Sequence, residues 1–306
     1  MLPAVHDEAA WAAVVENDAV VRPAAADLLG RLGLGGRPLE RFGTGSMPVY
    51  AVGDDRVLKL FPTVCAASAA VEAAALGFVH GELPIPTPEL LDEGALGDGW
   101  RYVLMSRLHG EHLATAWPRI PQADRDRLAH AIGTSLAAMH RLDPAGLAIG
   151  PPDWDAFTAE QATTAVERQR AHGLPESWLE QIPDFLAANP PADRGRALLH
   201  TEVMREHLLV DPATWALTGL FDFEPAMVGD PAYEFAAVGV FTSRGDTRLL
   251  HRITAAYGTP FTPPEILVQS LLHVESNLPW YLRILPAPQE DTLDELAEAW
   301  FGSPAR

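Results

Sequence analysis

The sequence predicts an α+β protein in two parts: a small lobe of antiparallel strands over residues 1–106, then a larger, mainly helical lobe over 107–306. Three observations carry this prediction. Short β-type runs joined by glycine and acidic turns crowd the first third of the chain, and apolar stripes at helical spacing dominate the rest. No internal repeat or low-complexity linker divides the 306 residues further, and at 48% apolar they suffice for a substantial buried core.

From Val5 to Leu34, clusters of Ala, Val and Leu recur between charges and close on Gly33, Gly35 and Gly36, which predicts one or two helices broken at Pro23. Leu39–Phe42, Val49–Val52 and Arg56–Phe61 read as an antiparallel meander whose turns are Gly43-Thr44-Gly45-Ser46 and Asp54-Asp55. Ala66 to His80 is Ala-rich and helical. Pro84, Pro86 and Pro88 alternate through Leu83–Leu91, forbidding both a helix and a central ladder position, so that stretch is an extended edge segment. Trp100–Ser106 is the last clear strand of the first lobe. Beyond it, Leu128, Ile132, Leu136 and Met139 share one helical stripe, and further helices are expected around 156–172, 233–242, 247–256, 265–285 and 293–300. Leu208-Leu209-Val210 and Leu217–Leu220, separated by the turn-forming Asp211-Pro212-Ala213-Thr214, predict a hairpin inside this helical half.

A formal net charge of -19 argues against nucleic acid or an anionic membrane as partner, since Lys and Arg supply that affinity. Cys65 is the only cysteine, which excludes an internal disulfide framework, and no run is apolar enough to span a bilayer. The start of the chain lacks the pattern of a signal peptide, so a cytoplasmic protein is expected; the oligomeric state is left open, with a monomer slightly favoured.

The chemistry concentrates near the hairpin. If its strands pair, the open end draws His207 toward Asp222, with Glu202 on the loop before, a set of proton and metal ligands suited to phosphoryl transfer. Lys59 lies in the apolar run Val57-Leu58-Lys59-Leu60-Phe61, where an ammonium needs either a solvent-facing position or a buried anion. Glu72, the only acid between Ala66 and His80, offers that anion. Gly43 and Gly45 let backbone N–H groups approach phosphates, or simply make a hairpin turn.

In this order, the glycine turn, isolated strand lysine, helix glutamate, His-x-acid loop and Asp-Phe segment ending in Gly229-Asp230-Pro231 resemble the aminoglycoside phosphotransferase family, small-molecule kinases of the two-lobed protein-kinase-like fold. The resemblance spans roughly Phe42 to Glu234. It implies that Gly43, Gly45, Ser46, Lys59 and Glu72 hold the phosphates of ATP, and that Ser106 and Leu108 form a hinge against the adenine. Glu202 would then be the catalytic base and Asp222 and His207 the ligands of Mg2+. Two departures from the family pattern stand out, Glu202 for aspartate and His207 for asparagine; Pro48 replaces the third glycine of the protein-kinase loop, which the family tolerates in general outline. An imidazole ligand is tolerated better by Mn2+ than by Mg2+. Asp230 is expected to brace the catalytic loop and His140 to pack structurally. His273, Glu275, Trp280, Glu290 and Asp291 fall where relatives contact substrate, without individual roles.

The implied activity is transfer of the γ-phosphoryl group of ATP to a hydroxyl of a small-molecule antibiotic, aminoglycoside-like or nucleoside, with resistance as its outcome. Val57–Phe61 and Tyr102–Arg107 resemble hygromycin-type members, while other relatives act on macrolides and capuramycin-type antibiotics. Two alternatives remain: a nucleotide-binding protein that has lost catalysis through its altered loop, and a metabolic kinase for an alcohol such as choline or homoserine.

Overall fold

The structure is a computed structural model describing residues 2–5, 7, 10–43 and 45–303. The chain forms two compact units. The first comprises Met1–Gly81, Pro86–His109 and Gly219–Pro225; the second comprises Glu82–Ile85, Gly110–Thr218 and Ala226–Arg306. The α+β expectation holds. The return of Gly219–Pro225 to the first unit has no counterpart in a single cut at Ser106, and it brings Asp222 beside the strands.

The first unit is built on a five-stranded antiparallel sheet in the order β1-β2-β3-β5-β4, comprising β1 (Leu39–Arg41), β2 (Val49–Val52), β3 (Arg56–Phe61), β4 (Leu90–Gly97) and β5 (Trp100–Ser106). Successive strand residues face opposite sides, so β3 splits its run in two. Leu58 and Leu60, paired with Leu104 and Tyr102 on β5, enter an apolar core with Val21, Leu28 and Leu29 of helix α1 (Asp18–Arg31). The side chain of Lys59 therefore leaves by the other face, where helix α2 (Ala66–Val79) packs and carries Glu72.

Two sequence expectations are corrected here. Pro23 does not break α1 but lies inside it. It sits in the second turn, where it forfeits one bond to the Ala19 carbonyl, and both residues are exposed, so water replaces the lost partner. The prolines of 83–91 precede an edge strand that runs on to Gly97; two glycines and two acids in β4 hid it from periodicity, although its burial alternates residue by residue.

In the second unit β7 (Ala197–Leu199) pairs with β10 (Met227–Gly229); β6 (Glu111–His112), β8 (Leu208–Val210) and β9 (Leu217–Leu220) form a second small sheet, whose last strand carries the chain from the second unit into the first at Gly219. The predicted hairpin is therefore present as β8 and β9. Long helices flank these strands: α3 (Gln122–Met139) with Leu128, Ile132, Leu136 and Met139 all buried, α4 (Trp154–Ala171), α5 (Thr247–Tyr257), α6 (Pro263–Leu272), α7 (Leu278–Ile284) and α8 (Leu293–Phe301). The single helix expected over 265–285 is two. Asn277 caps the second by accepting the Trp280 N–H at 3.0 Å, and Pro279 occupies its first turn, a strong start signal inside an otherwise continuous apolar pattern. Among the described residues no helix is long and apolar enough to cross a membrane.

Candidate active site

In the first unit, Lys59 is the hub. Its side chain is only 7% exposed, with Nζ 2.9 Å from Glu72 Oε2, 2.9 Å from Glu224 Oε2 and paired with Asp222 Oδ1. Burial alone would discharge such an amine. The three carboxylates outweigh it and hold the Lys59 pKa well above the ordinary lysine value. Glu72 moves the other way from a normal salt-bridged acid: burial first, then its carboxylate neighbours Asp222 and Glu224, push it up to about 7 against the pull of Lys59. Three acids around one base leave an excess of negative charge, which adds to the rise at Glu72.

A divalent cation would relieve that excess. One ligand oxygen from each of Glu72, Asp222 and Glu224 lies within 4.8 Å of the others. Glu72 Oε2 and Glu224 Oε2 are buried, and Lys59 Nζ, 2.9 Å from each, leaves each oxygen a further lone pair. Hard oxygen donors with unspent lone pairs fit Mg2+ or Mn2+. Asp222 has φ +73°, a left-handed conformation that aspartate tolerates and that re-aims the chain between Phe221 and Phe223.

The remaining first-unit expectations fall around this hub. Gly45 has φ +102°, so the turn requires glycine there; Gly43, Gly45 and Ser46 are exposed, and a Cβ on either glycine would meet nothing within 4 Å. Thr44 lies outside the described residues. At the hinge, Ser106 is already paired with the edge strand: its N–H donates to the Glu89 carbonyl at 2.9 Å and its Oγ accepts the Glu89 N–H at 2.8 Å. Any adenine contact at Ser106 is left to its carbonyl. Arg107 follows, anchored through its N–H to the Asp55 carbonyl at 2.9 Å, with its guanidinium 5.6 Å from the centre of the Phe42 ring. Leu108 is half-buried.

In the second unit the loop from His200 to His207 joins β7 to β8. His200 is fully buried, and its N–H donates to Glu234 Oε2 at 2.7 Å. Thr201, with φ +68°, is a β-branched residue in a left-handed conformation, a real strain. The Glu202 N–H donates to His200 Nδ1 at 3.3 Å. His207 Nδ1 lies 2.9 Å from the Glu202 carbonyl oxygen, which can only accept. That bond puts a His207 proton on Nδ1, which makes Nε2 the ring nitrogen that could serve as a ligand. The Glu202 carboxylate lies 3.9 Å from the same Nδ1. Arg205 pins the loop from behind: it donates to the carbonyls of Thr242 at 2.7 Å and Ser243 at 3.2 Å and stacks 3.7 Å from the centre of the Trp117 ring. Burial lowers its pKa to about 9, which still leaves it charged at neutral pH.

Bracing of this loop belongs to Glu234 rather than Asp230. Asp230 accepts the N–H groups of Ala232 and Arg194, each at 2.8 Å, and so caps the turn that follows β10. His140 is packed as expected, edge-on to Tyr257 with its Nε2 3.6 Å from Glu234 Oε2. Two contributors escaped the sequence reading. Glu224 was visible only as a variable position after the Asp-Phe pair, and its signal was a second acid two residues from Asp222. Glu234 looked like one more helical acid; nothing in the pattern shows a carboxylate turning back to a loop 34 residues earlier.

The profile of the phosphotransferase enzyme family matches residues 38–267, three-quarters of the chain, and the protein belongs to that family. It is thus an enzyme of the small-molecule kinase class. Among solved structures, wild-type aminoglycoside 2'-phosphotransferase-IIIa in its GDP complex is 18% identical, covering 82% of this chain and 87% of that one at a TM-score of 0.69. Aminoglycoside phosphotransferase APH(3'')-Id from Streptomyces rimosus, with ADP and streptomycin, is 18% identical over 81% and 96% at 0.58. Macrolide 2'-phosphotransferase type I is 20% identical over 90% and 99% at 0.62. At these identities the likeness establishes the shared fold.

Proposed function

We propose that this enzyme transfers the γ-phosphoryl group of ATP to a hydroxyl of an antibiotic-like small molecule. The observation that carries the proposal is the burial of one lysine among three carboxylates, which makes sense where a polyphosphate and its metal complete the charge balance. Lys59 would hold the nucleotide phosphates, with Glu72 fixing its ammonium. Asp222 and Glu224, and His207 through Nε2, would hold Mg2+ or Mn2+, which when bound neutralises phosphate charge. Glu202 would orient the acceptor hydroxyl and take its proton as the oxygen bonds to the γ-phosphorus and the bond to the β,γ-bridging oxygen breaks. Gly43, Gly45 and Ser46 would cover the phosphates, and the Ser106 carbonyl and Leu108 N–H would meet the adenine.

The test is an acceptor panel of kanamycin, streptomycin, a macrolide and a nucleoside antibiotic with labelled ATP and either metal. The reading predicts ADP release that depends on one acceptor and a product heavier by one phosphate. Replacing Glu202 by Gln should cut turnover by about 10²–10⁴-fold with MgATP binding unchanged. Tight MgATP binding with no transfer to any hydroxyl would establish the inactive alternative, and transfer to choline or homoserine alone would establish the metabolic one.

A further inference from the structure

We propose that His273 is a positioning residue for the reaction, holding the strained Thr201–Glu202 peptide so that the Glu202 carboxylate meets the acceptor hydroxyl. This rests on the phosphotransferase reading of Glu202. His273 follows α6, more than 60 residues beyond the loop it would serve. Its Nδ1 accepts the Glu275 N–H at 3.2 Å, and since that backbone group can only donate, the ring proton resides on Nε2. Nε2–H then donates to the Thr201 carbonyl at 3.3 Å. The imidazole is thus a bridge with a fixed direction, accepting at one end and donating at the other.

Everything around the ring holds it in place. It is 4% exposed and stacks on Tyr233 at 4.9 Å between centres and 20° between planes. The Tyr233 hydroxyl in turn accepts the Val274 N–H at 2.9 Å. Arg168 donates to the carbonyls of His273 at 2.9 Å and Leu271 at 3.0 Å, closing the open end of α6. Burial pushes the His273 pKa down to about 4, so the ring stays neutral and keeps this tautomer across the working range of an enzyme.

The recipient of this rigidity is the residue with the least reason to stay where it is. Thr201 at φ +68° is strained relative to an ordinary conformation and persists only if its surroundings over-determine it. Relaxation of that peptide would rotate the next residue, Glu202. A displacement of about 1 Å at such a group costs up to about 10²-fold in rate.

The experiment compares His273→Phe, which keeps an aromatic ring on Tyr233 but removes both hydrogen bonds, with His273→Gln, which can restore a donor. Amide exchange of the 198–204 segment is read by mass spectrometry, and kcat and KM for ATP are read with the acceptor found above. The proposal predicts that His273→Phe speeds exchange in 198–204 about tenfold while 263–272 keeps its protection, and lowers kcat about 10–100-fold with KM for ATP within about twofold. His273→Gln should recover most of both. In a Thr201→Gly background, where the strain is gone, the His273→Phe loss should shrink to within about fivefold. Unchanged exchange in 198–204, or losses that multiply in the double variant, would overturn it. Because the exchange readout needs no turnover, it judges His273 even if the phosphotransferase reading fails, and near-normal turnover of Glu202→Gln would mark that separate failure.

Discussion

The two candidate regions, one in each unit, are built on opposite principles. In the first unit, Lys59, Glu72, Asp222 and Glu224 put four ionisable groups in contact, and burial and charge together shift Lys59 and Glu72. In the second unit, the 200–207 loop is held by histidine and backbone hydrogen bonds around a strained residue. A charge cluster tolerates movement of its members, because Coulomb energy falls off slowly, whereas a hydrogen-bonded loop is specified to fractions of an ångström. That contrast suits a division in which one region grips a polyphosphate and its metal and the other aims a single carboxylate.

The strongest way to break the contrast is at its hub. Lys59→Met should leave the buried Glu72 and the half-buried Asp222 and Glu224 with no counter-ion and cost about 3–5 kcal/mol in urea unfolding at neutral pH. A loss below about 1 kcal/mol would mean that the cluster is not organised by charge. Asp222→Asn keeps the shape and removes one charge; turnover should fall by roughly 10²–10³-fold while thermal unfolding stays close to wild type.

The second region should respond to acid instead. The folded pKa of His273 is lowered to about 4 from 6.5, and Tyr233, Arg168 and Glu234 are the groups facing it. The unfolded chain therefore takes up this proton first, so stability from the neutral ring is complete above pH 6.5 and is lost as pH falls toward 4. The difference between wild type and His273→Phe in this window should reach at most about 3 kcal/mol. A pH-independent difference would show that the ring titrates normally. The smallest effect expected is that of Glu224→Gln, which should raise the Mg2+ concentration for half-maximal turnover about tenfold while leaving the 198–204 loop unchanged. If Glu224 were only a surface acid, the metal requirement would not move.

How much of this could be read from the residues differs between the regions in the same way. Lys59 and Glu72 were legible because a charge inside an apolar strand demands a partner, and the next helix offered one acid. The β8–β9 hairpin was legible from its turn chemistry. What the pattern could not carry was long-range return: Glu234 reaching back to the His200 N–H, and His273 reaching Thr201 across 72 positions. No local period encodes such contacts. Strain was equally hidden, since Thr201 gives no sign of a positive φ, whereas Gly45 announces its own. The misread elements, α1 through Pro23 and the split at 273–277, failed because exposure and capping overrode breaker rules in one case and interrupted a continuous apolar pattern in the other.

Calorimetric titration of MgATP into wild type, Asp222→Asn and Glu202→Gln tests the division of labour most directly. The account predicts that Asp222→Asn weakens MgATP binding about tenfold or more, while Glu202→Gln binds within about twofold of wild type and still fails to turn over. Wild-type affinity in Asp222→Asn, or an equal loss in Glu202→Gln, would contradict it.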